Sequence, residues 1–289
     1  MSLVSVIIVN YNKRPYTELC LNSLAQTDYE PFEVICIDNG STDGTGDLLE
    51  RMQREQQKTG RRFEVIANDS NVGACTARNQ GMEIAKGDYI VFMDNDIAVR
   101  GAQWLRKLQA VLEESDDIGI AGPKLVFPFE PYDIEIAGAA ISPNGRVQYR
   151  GRGQAYDAPE FNERREVQCL ISATWLMRAE LIGKIGVLDE EFNPAQYEDL
   201  DYCYRAREAG YRIVYEPSAV LYHYESVTTD ASADVNYKYI TIKHGMEFKR
   251  RWRHMFSQEG GPPDEECRWQ ELETRPLEQT GIPPLVPDL

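Results

Sequence analysis

Two aspartates, Asp94 and Asp96, stand one residue apart where the apolar run 89-YIVFM-93 ends. Carboxylates that close repel each other, and a shared divalent cation removes the penalty. Mg2+ or Mn2+ suits such a pair, because these ions take one or two protein carboxylates and fill their shell with water and substrate phosphate oxygens. A solvated acidic loop has the same look, so D-x-D alone is a weak motif. A second acidic group lies downstream, where 197-YEDLDYC-203 sets Glu198, Asp199 and Asp201 in the first turn of a helical stretch. Carboxylates there favour the helix dipole. Capping accounts for one or two of the three acids.

The elements that must position these acids follow from hydrophobic periodicity. The run 4-VSVIIVN-10 is continuous and β-branched, as expected of a strand buried on both faces of a parallel sheet. Further strands are expected at 33–38, 63–68 and 88–94, with helices between them at Leu19–Leu24, 45–57 and 73–85. This βαβαβαβ alternation predicts an α/β fold, Rossmann-like, with a mostly parallel sheet and helices on both faces. Open sheets of this kind bind ligands beyond the carboxyl ends of their strands. Those ends read Asn10-Tyr11-Asn12, Asp38-Asn39-Gly40, Asn68-Asp69 and Asp94-Asn95-Asp96.

After residue 100 the pattern changes. A helix at 103–114 and a strand at 118–127 precede Asn144-Gly145, a strong hairpin signal that adds a smaller antiparallel extension. An apolar segment at 167–178, a short helix around 179–186, a helix from near Glu198 and two strands at 212–217 and 219–224 complete the expected elements. Trp104 and Trp175 lie in apolar runs and read as core before sugar-stacking platforms. The stretch 237–256 is helical and basic, and the last thirty or so residues, rich in Pro, are expected to be irregular.

At 289 residues the chain is one large α/β domain or two lobes sharing a core. A net charge of −16 excludes a nucleic-acid-binding surface. The position after the first strand reads NYNKRP rather than G-x-G-x-x-G, and no G-x-x-x-x-G-K-[ST] occurs, which sets aside nicotinamide and P-loop chemistry. The six cysteines form no C-x-x-C pair and read as reduced thiols. No apolar run approaches the roughly 20 residues needed to span a bilayer, and the N-terminus lacks signal-peptide features, so a cytoplasmic location is expected.

Five blocks in order, 4-VSVIIVNYN-12, 36-CIDNGSTDGT-45, 71-NVGACTARNQGMEIAKGDYIVFMDND-96, 197-YEDLDYCYRAREAGYRI-213 and 222-YHYES-226, resemble the family-2 glycosyltransferases of the GT-A fold. The resemblance covers about residues 3–226. It implies a metal-dependent, inverting transfer from a nucleoside-diphosphate sugar to a glycan or lipid-linked acceptor, with a UDP-sugar favoured and dTDP- or GDP-sugars as alternatives. Asp38 is then the partner of the nucleobase, with Asn10, Tyr11, Asn12 and Asn39 lining the same pocket. Arg78 and Asn79 would face the nucleotide, and Asn95 belongs to the donor site. Asp96 is the direct metal ligand, Asp94 contacts the ribose or the metal, and His223 completes the set as a neutral imidazole. Asp199 is the expected general base, with Glu198 second and Asp201 structural.

The implied organisation is a GT-A domain over 1–230, with a nucleotide-sugar-binding half at 1–97 and an acceptor-binding half at 98–230. A basic helix and Pro-rich tail follow at 231–289. The basic stretch 243–256 reads either as an interfacial helix at the inner face of a membrane or as a dock on the acidic body. Two competing functions share the sheet: a sugar-nucleotide pyrophosphorylase, which should open with a Gly-rich, Arg-containing loop, and a nucleotide-sugar-binding protein without turnover, which should lack one of the acids.

Overall fold

The structure, a computed structural model, describes residues 2–225 and 236–287. Its first part is the expected alternation: β1 (Val4–Asn10), α1 (Arg14–Leu24), β2 (Phe32–Asp38), α2 (Thr45–Thr59), β3 (Phe63–Ala67), α3 (Ala74–Ile84) and β4 (Tyr89–Asp94). β5 (Ile97–Val99), α4 (Trp104–Glu113), β6 (Ile118–Val126), β7 (Ile134–Ile136), β8 (Ala139–Ile141) and β9 (Val147–Tyr149) follow. Then come β10 (Arg165–Glu166), β11 (Thr174–Arg178), α5 (Glu180–Ile185), α6 (Glu198–Glu208), β12 (Arg212–His223), α7 (Tyr237–Phe256) and α8 (Leu277–Thr280).

The main sheet runs β10-β12-β6-β11-β4-β1-β2-β3, with β5 added to β12 and β7 to β6. β3, β2, β1 and β4 are parallel, and antiparallel β11 joins them to the parallel pair β6-β12. Side chains of one strand alternate between the two sheet faces. Val6 and Ile8 of β1 pack with Leu21, Leu49, Leu105 and Leu108 on one side. Ile7 packs on the other with Phe92, Trp175, Tyr202 and Phe248. Two apolar layers thus clamp the sheet, and Trp104 and Trp175 are both core. Helix α3 lies very close to it: a Cβ on Gly81 would stand 2.6 Å from Ile7 Cγ2.

Two expectations need correction. The strands expected at 212–217 and 219–224 are one strand, β12, with a register shift between Glu216 and Val220. Pro217 has no N–H to give the ladder, so the chain bulges there and resumes pairing. Of the apolar segment 167–178 only Thr174–Arg178 joins the sheet as a strand. The β8–β9 hairpin forms at Asn144-Gly145, with Gly145 at φ 76°. All six cysteines are free and buried.

Helix α7 is not a loose appendage. Phe248, Trp252 and Phe256 are buried in the sheet's core, and Arg251 pairs with Asp189 at 2.7 Å and Glu191 at 2.5 Å. The irregular end beyond it is laid along the body: Val286 N donates to the Arg100 carbonyl at 2.7 Å and Leu277 N to the Tyr16 hydroxyl at 3.0 Å. Ser226 and the domain boundary expected at residue 230 lie outside the described residues.

Candidate active site

Parallel pairing levels the carboxyl ends of the first strands. Asn10 is opposite Asp38, Val9 opposite Asp94, and Asp38 opposite Ala67. The loops leaving these ends bond to one another. Asn10 is fully buried, donating to the Ile8 and Ile37 carbonyls and accepting from Thr17 Oγ1 at 3.1 Å. Asn12 accepts from Thr42 N at 2.8 Å, and its own N–H donates to Ser41 Oγ at 2.8 Å. Asp38 accepts from Ser41 N at 3.0 Å. Asn39 gathers the third loop, donating to Asn71 Oδ1 at 2.8 Å and accepting from Val72 N at 3.0 Å. Asn95 donates to Thr17 Oγ1 at 3.0 Å, and Tyr11 is half-buried at the rim.

The D-x-D lies where β4 ends and the chain reverses into β5. Because β5 pairs antiparallel with β12, Ile97 sits opposite His223 and Tyr224 N donates to the Asp96 carbonyl at 3.2 Å. This pairing brings the imidazole onto the acids. His223 Nε2 is 3.3 Å from Asp96 Oδ1, and one ligand atom from each of Asp94, Asp96 and His223 lies within 4.8 Å of the others. Two carboxylates and an imidazole make a donor set that fits Mn2+ or Mg2+. The other ring nitrogen, Nδ1, is 2.8 Å from Glu135 Oε2, a fully buried carboxylate of β7. A carboxylate behind a histidine fixes the ring and its tautomer for metal binding. Against the burial that opposes its charge, Glu135 and Asp96 hold the imidazole's pKa well above the ordinary value. A metal ion at this nitrogen would compete with a proton.

Glu135 was not singled out from the sequence. The signal is present in 134-IEI-136, where one acid interrupts an otherwise apolar strand.

Arg78 links the D-x-D to the downstream acids. Its Nη2 donates to Asp94 Oδ1 at 2.7 Å and to the Ser172 carbonyl at 3.4 Å, and its Nη1 to Glu198 Oε1 at 2.9 Å. The guanidinium is buried, and its pKa is raised: burial opposes the charge, and Asp94 and Glu198 overcome it. Asp94 is pushed up by desolvation, with Arg78 pulling the other way and Asp96 adding to the rise. Arg78 lies on the helix face shared with Cys75 and Met82, a cation at a core position, and that spacing is its sequence signal. Asn79, expected to face the nucleotide, instead binds Leu188, donating to its carbonyl at 2.9 Å and accepting from its N–H at 3.0 Å.

The approach to α6 is built on α3. Asn193 Oδ1 accepts from Cys75 N at 3.1 Å and Thr76 N at 3.4 Å, filling bonds that a helix start leaves open. Gly73 permits this contact, since its φ is 89° and a Cβ there would lie 2.4 Å from Asn193 Oδ1. Gln196 and Tyr197 then take positive φ of 81° and 74°, a conformation that costs free energy in non-glycine residues. Glu198 and Asp199 follow at once. Glu198 Oε2 is buried without a hydrogen-bond partner. Asp199 accepts from Leu200 N at 2.8 Å and Ser172 N at 3.3 Å, and burial followed by its neighbour Glu198 raises its carboxyl to about 7. Asp201 points elsewhere, to Trp252 Nε1 at 2.9 Å and Arg205 Nε at 2.9 Å.

A sheet of this topology, with a D-x-D at a central strand end and an acidic helix start beside it, defines a GT-A glycosyltransferase. The chain belongs to glycosyl transferase family 2, whose sequence model matches residues 5–186. It is 34% identical over 124 residues to a putative teichuronic acid biosynthesis glycosyltransferase of Bacillus subtilis, covering 43% of this chain and 48% of that protein. It is 27% identical over 242 residues to the hyaluronan synthase of Pasteurella multocida, covering 77% of this chain and 24% of that one. The chain thus spans less than half the length of these relatives. Among solved structures, it resembles a mannosyltransferase from Pyrobaculum calidifontis in complex with GDP-Man and Mn2+, with a TM-score of 0.62 at 16% identity over 90% of this chain and 69% of that chain. GalNAc-T7 with UDP, GalNAc and Mn2+ matches with a TM-score of 0.63 at 17% identity over 77% of this chain and 43% of that one.

Proposed function

We propose that the chain is a metal-dependent, inverting glycosyltransferase that moves a sugar from a nucleoside-diphosphate sugar to an acceptor hydroxyl, in the synthesis of a cell-surface polysaccharide or glycoconjugate. The observation that carries this reading is the grouping of Asp94, Asp96 and His223 within ligand distance, joined through Arg78 to the Glu198-Asp199 pair. The Mn2+-bound GT-A neighbours support the metal, and their UDP and GDP-Man support a nucleotide-sugar donor.

Asp96 and His223 would hold the ion, with Asp94 shared between it and the ribose. When bound, Mn2+ or Mg2+ neutralises charge on the departing diphosphate. Asp38 with Tyr11, Asn12 and Asn39 forms the nucleobase pocket, in which a UDP-sugar is the favoured donor, and fully buried Asn10, expected to line it, instead braces the strand end beneath. Asp199, at about 7, is poised to take the proton of the attacking hydroxyl at neutral pH, and Glu198 is held in the ion pair with Arg78. No covalent enzyme intermediate is required. Attack opposite the leaving group inverts the anomeric centre.

Residues 1–97 then carry the donor side and 98–230 the acceptor side, and the described residues 236–287 are laid against that body. No described helix is long and apolar enough to cross a membrane. The inward face of α7 is committed to the body, so contact with a membrane's inner face would fall to the exposed ridge of Tyr239, Ile242 and Met246. Flotation with anionic vesicles tests that contact; equal recovery of the wild type and an Ile242→Asp/Met246→Asp chain sinks it.

The test of the reading itself is transfer from a nucleotide sugar, followed by NMR of the product's anomeric proton. Inverted configuration and loss of transfer on chelation are expected. Retained configuration, or full rate without metal, overturns it.

A further inference from the structure

A cleft of about 510 Å³ opens beside β9, lined by Tyr149, Arg150, Arg152, Glu160, Arg165 and Arg268 among others. Four guanidinium groups face two carboxylates, Glu160 and Glu266, in a chain whose net charge is −16. Arg152 is already committed: it forms a two-pronged pair with Glu225, at 2.9 and 3.0 Å. The other three are not. Among the described residues no ion pair or side-chain hydrogen bond engages Arg150, Arg165 or Arg268, although ion pairs are made throughout the rest of the surface. Arg150 is half-buried, and its pKa is lowered, first by desolvation and then by Arg165. A half-buried cation with exposed Arg165 and Arg268 beside it around one cavity gains from a shared anion.

The cleft wall reaches toward the transfer site: Arg152 pairs with Glu225 at 2.9 Å, and the preceding residue, Tyr224, donates its N–H to the Asp96 carbonyl at 3.2 Å. Glu225, which holds Arg152 in the cleft wall, lies two residues past His223 on the chain. The cavity falls in the range of about 300–1,000 Å³ typical of small-ligand sites.

We infer that this cleft is a subsite for an anionic group of the acceptor, received by Arg150, Arg165 and Arg268, so that the acceptor is an acidic glycan or a phosphate-bearing carrier. The inference rests on the glycosyl-transfer reading and names the acceptor class for that site. Arg152, paired with Glu225, keeps the wall in place.

Calorimetric titration of the full chain with three probes tests it: an oligogalacturonate tetramer, a phosphodiester-linked glycerol phosphate tetramer and neutral maltotetraose. At least one anionic tetramer is expected to bind, with maltotetraose at least tenfold weaker. The Arg150→Gln/Arg165→Gln chain should lose about tenfold in that affinity while its affinity for UDP with Mn2+ stays as in the wild type. Binding of the carboxylate probe alone assigns an acidic glycan, and binding of the phosphodiester alone a phosphate carrier. The inference is overturned if neither anion binds, if maltotetraose binds as well as they do, or if the double variant binds unchanged. If the double variant loses nucleotide affinity through misfolding, Arg268→Gln, which alters an exposed side chain, takes its place with the same criteria. Turnover of added nucleoside-diphosphate sugars with Mn2+ separates the two readings, since its absence with anion selectivity intact counts against glycosyl transfer alone.

Discussion

Arg78 of α3 and Glu198 of α6 meet at 2.9 Å, each with only 6% of its side chain exposed. The pair locks α3 and the end of β4 to the helix that carries the acid pair, because the same guanidinium holds Asp94 at 2.7 Å. Removing the cation would leave two carboxylates facing each other in a low-dielectric site. Arg78→Ala should therefore destabilise the fold by about 3–5 kcal/mol, read as a lower urea midpoint. Lysine offers one point charge in place of a two-pronged fork, so Arg78→Lys should recover only part of the loss.

Glu135 orients His223 from behind. Glu135→Gln should weaken Mn2+ binding by about 10–100-fold in calorimetric titration while the fold survives. Because Glu135 and Asp96 raise the imidazole's pKa against the burial that lowers it, Mn2+ binding at His223 should compete with a proton and release it. Titrations in buffers of different ionisation enthalpy would show the release as a buffer-dependent heat, and a buffer-independent heat would count against His223 as a ligand.

Asp199 sets the expected pH dependence. Its carboxyl is raised from the ordinary aspartate value to about 7, and only the deprotonated form can accept the acceptor's proton. The rate constant kcat/KM should accordingly fall as pH drops through about 7 and level off above it. Asp199→Asn should lower kcat by about 10²–10⁴-fold and abolish that step in the profile. Glu198→Gln losing more activity than Asp199→Asn would move the base assignment by one residue.

Trp252 anchors α7. Its ring is buried in the sheet's core and its Nε1 donates to Asp201 at 2.9 Å, so both its apolar area and its polar end are used. Trp252→Ala should cost about 3–5 kcal/mol of stability, measured by chemical denaturation. A loss below about 1 kcal/mol would mean that the helix is only loosely held.

What the sequence made legible has a common physical basis. The strands β1 to β4, the helices between them and the polar strand ends are local patterns: an apolar run, a turn, an amphipathic helix. Asp94 and Asp96 stand out as charge at the edge of an apolar run, and the Glu198-Asp199 pair as acids crowded into the first turn of a helix. The Arg78–Glu198 and Glu135–His223 relationships depend instead on how α3 packs on α6 and how β7 and β12 flank β6, which no short window of residues encodes. The bulge that keeps 212–223 a single strand was hidden behind Pro217, whose strand-breaking tendency is local while the pairing that carries the chain past it is not.

Asp94, Asp96 and His223 would together form a metal site for a nucleotide-sugar diphosphate. Calorimetric titration of UDP and of GDP-Man into the wild type and Asp96→Asn, with Mn2+ and with EDTA, tests it most directly. The wild type should bind one of the two nucleotides at least tenfold more tightly with Mn2+ than with EDTA, and Asp96→Asn should lose that gain. Equal affinity with and without metal, or an Asp96→Asn protein that keeps the full metal effect, would contradict the account.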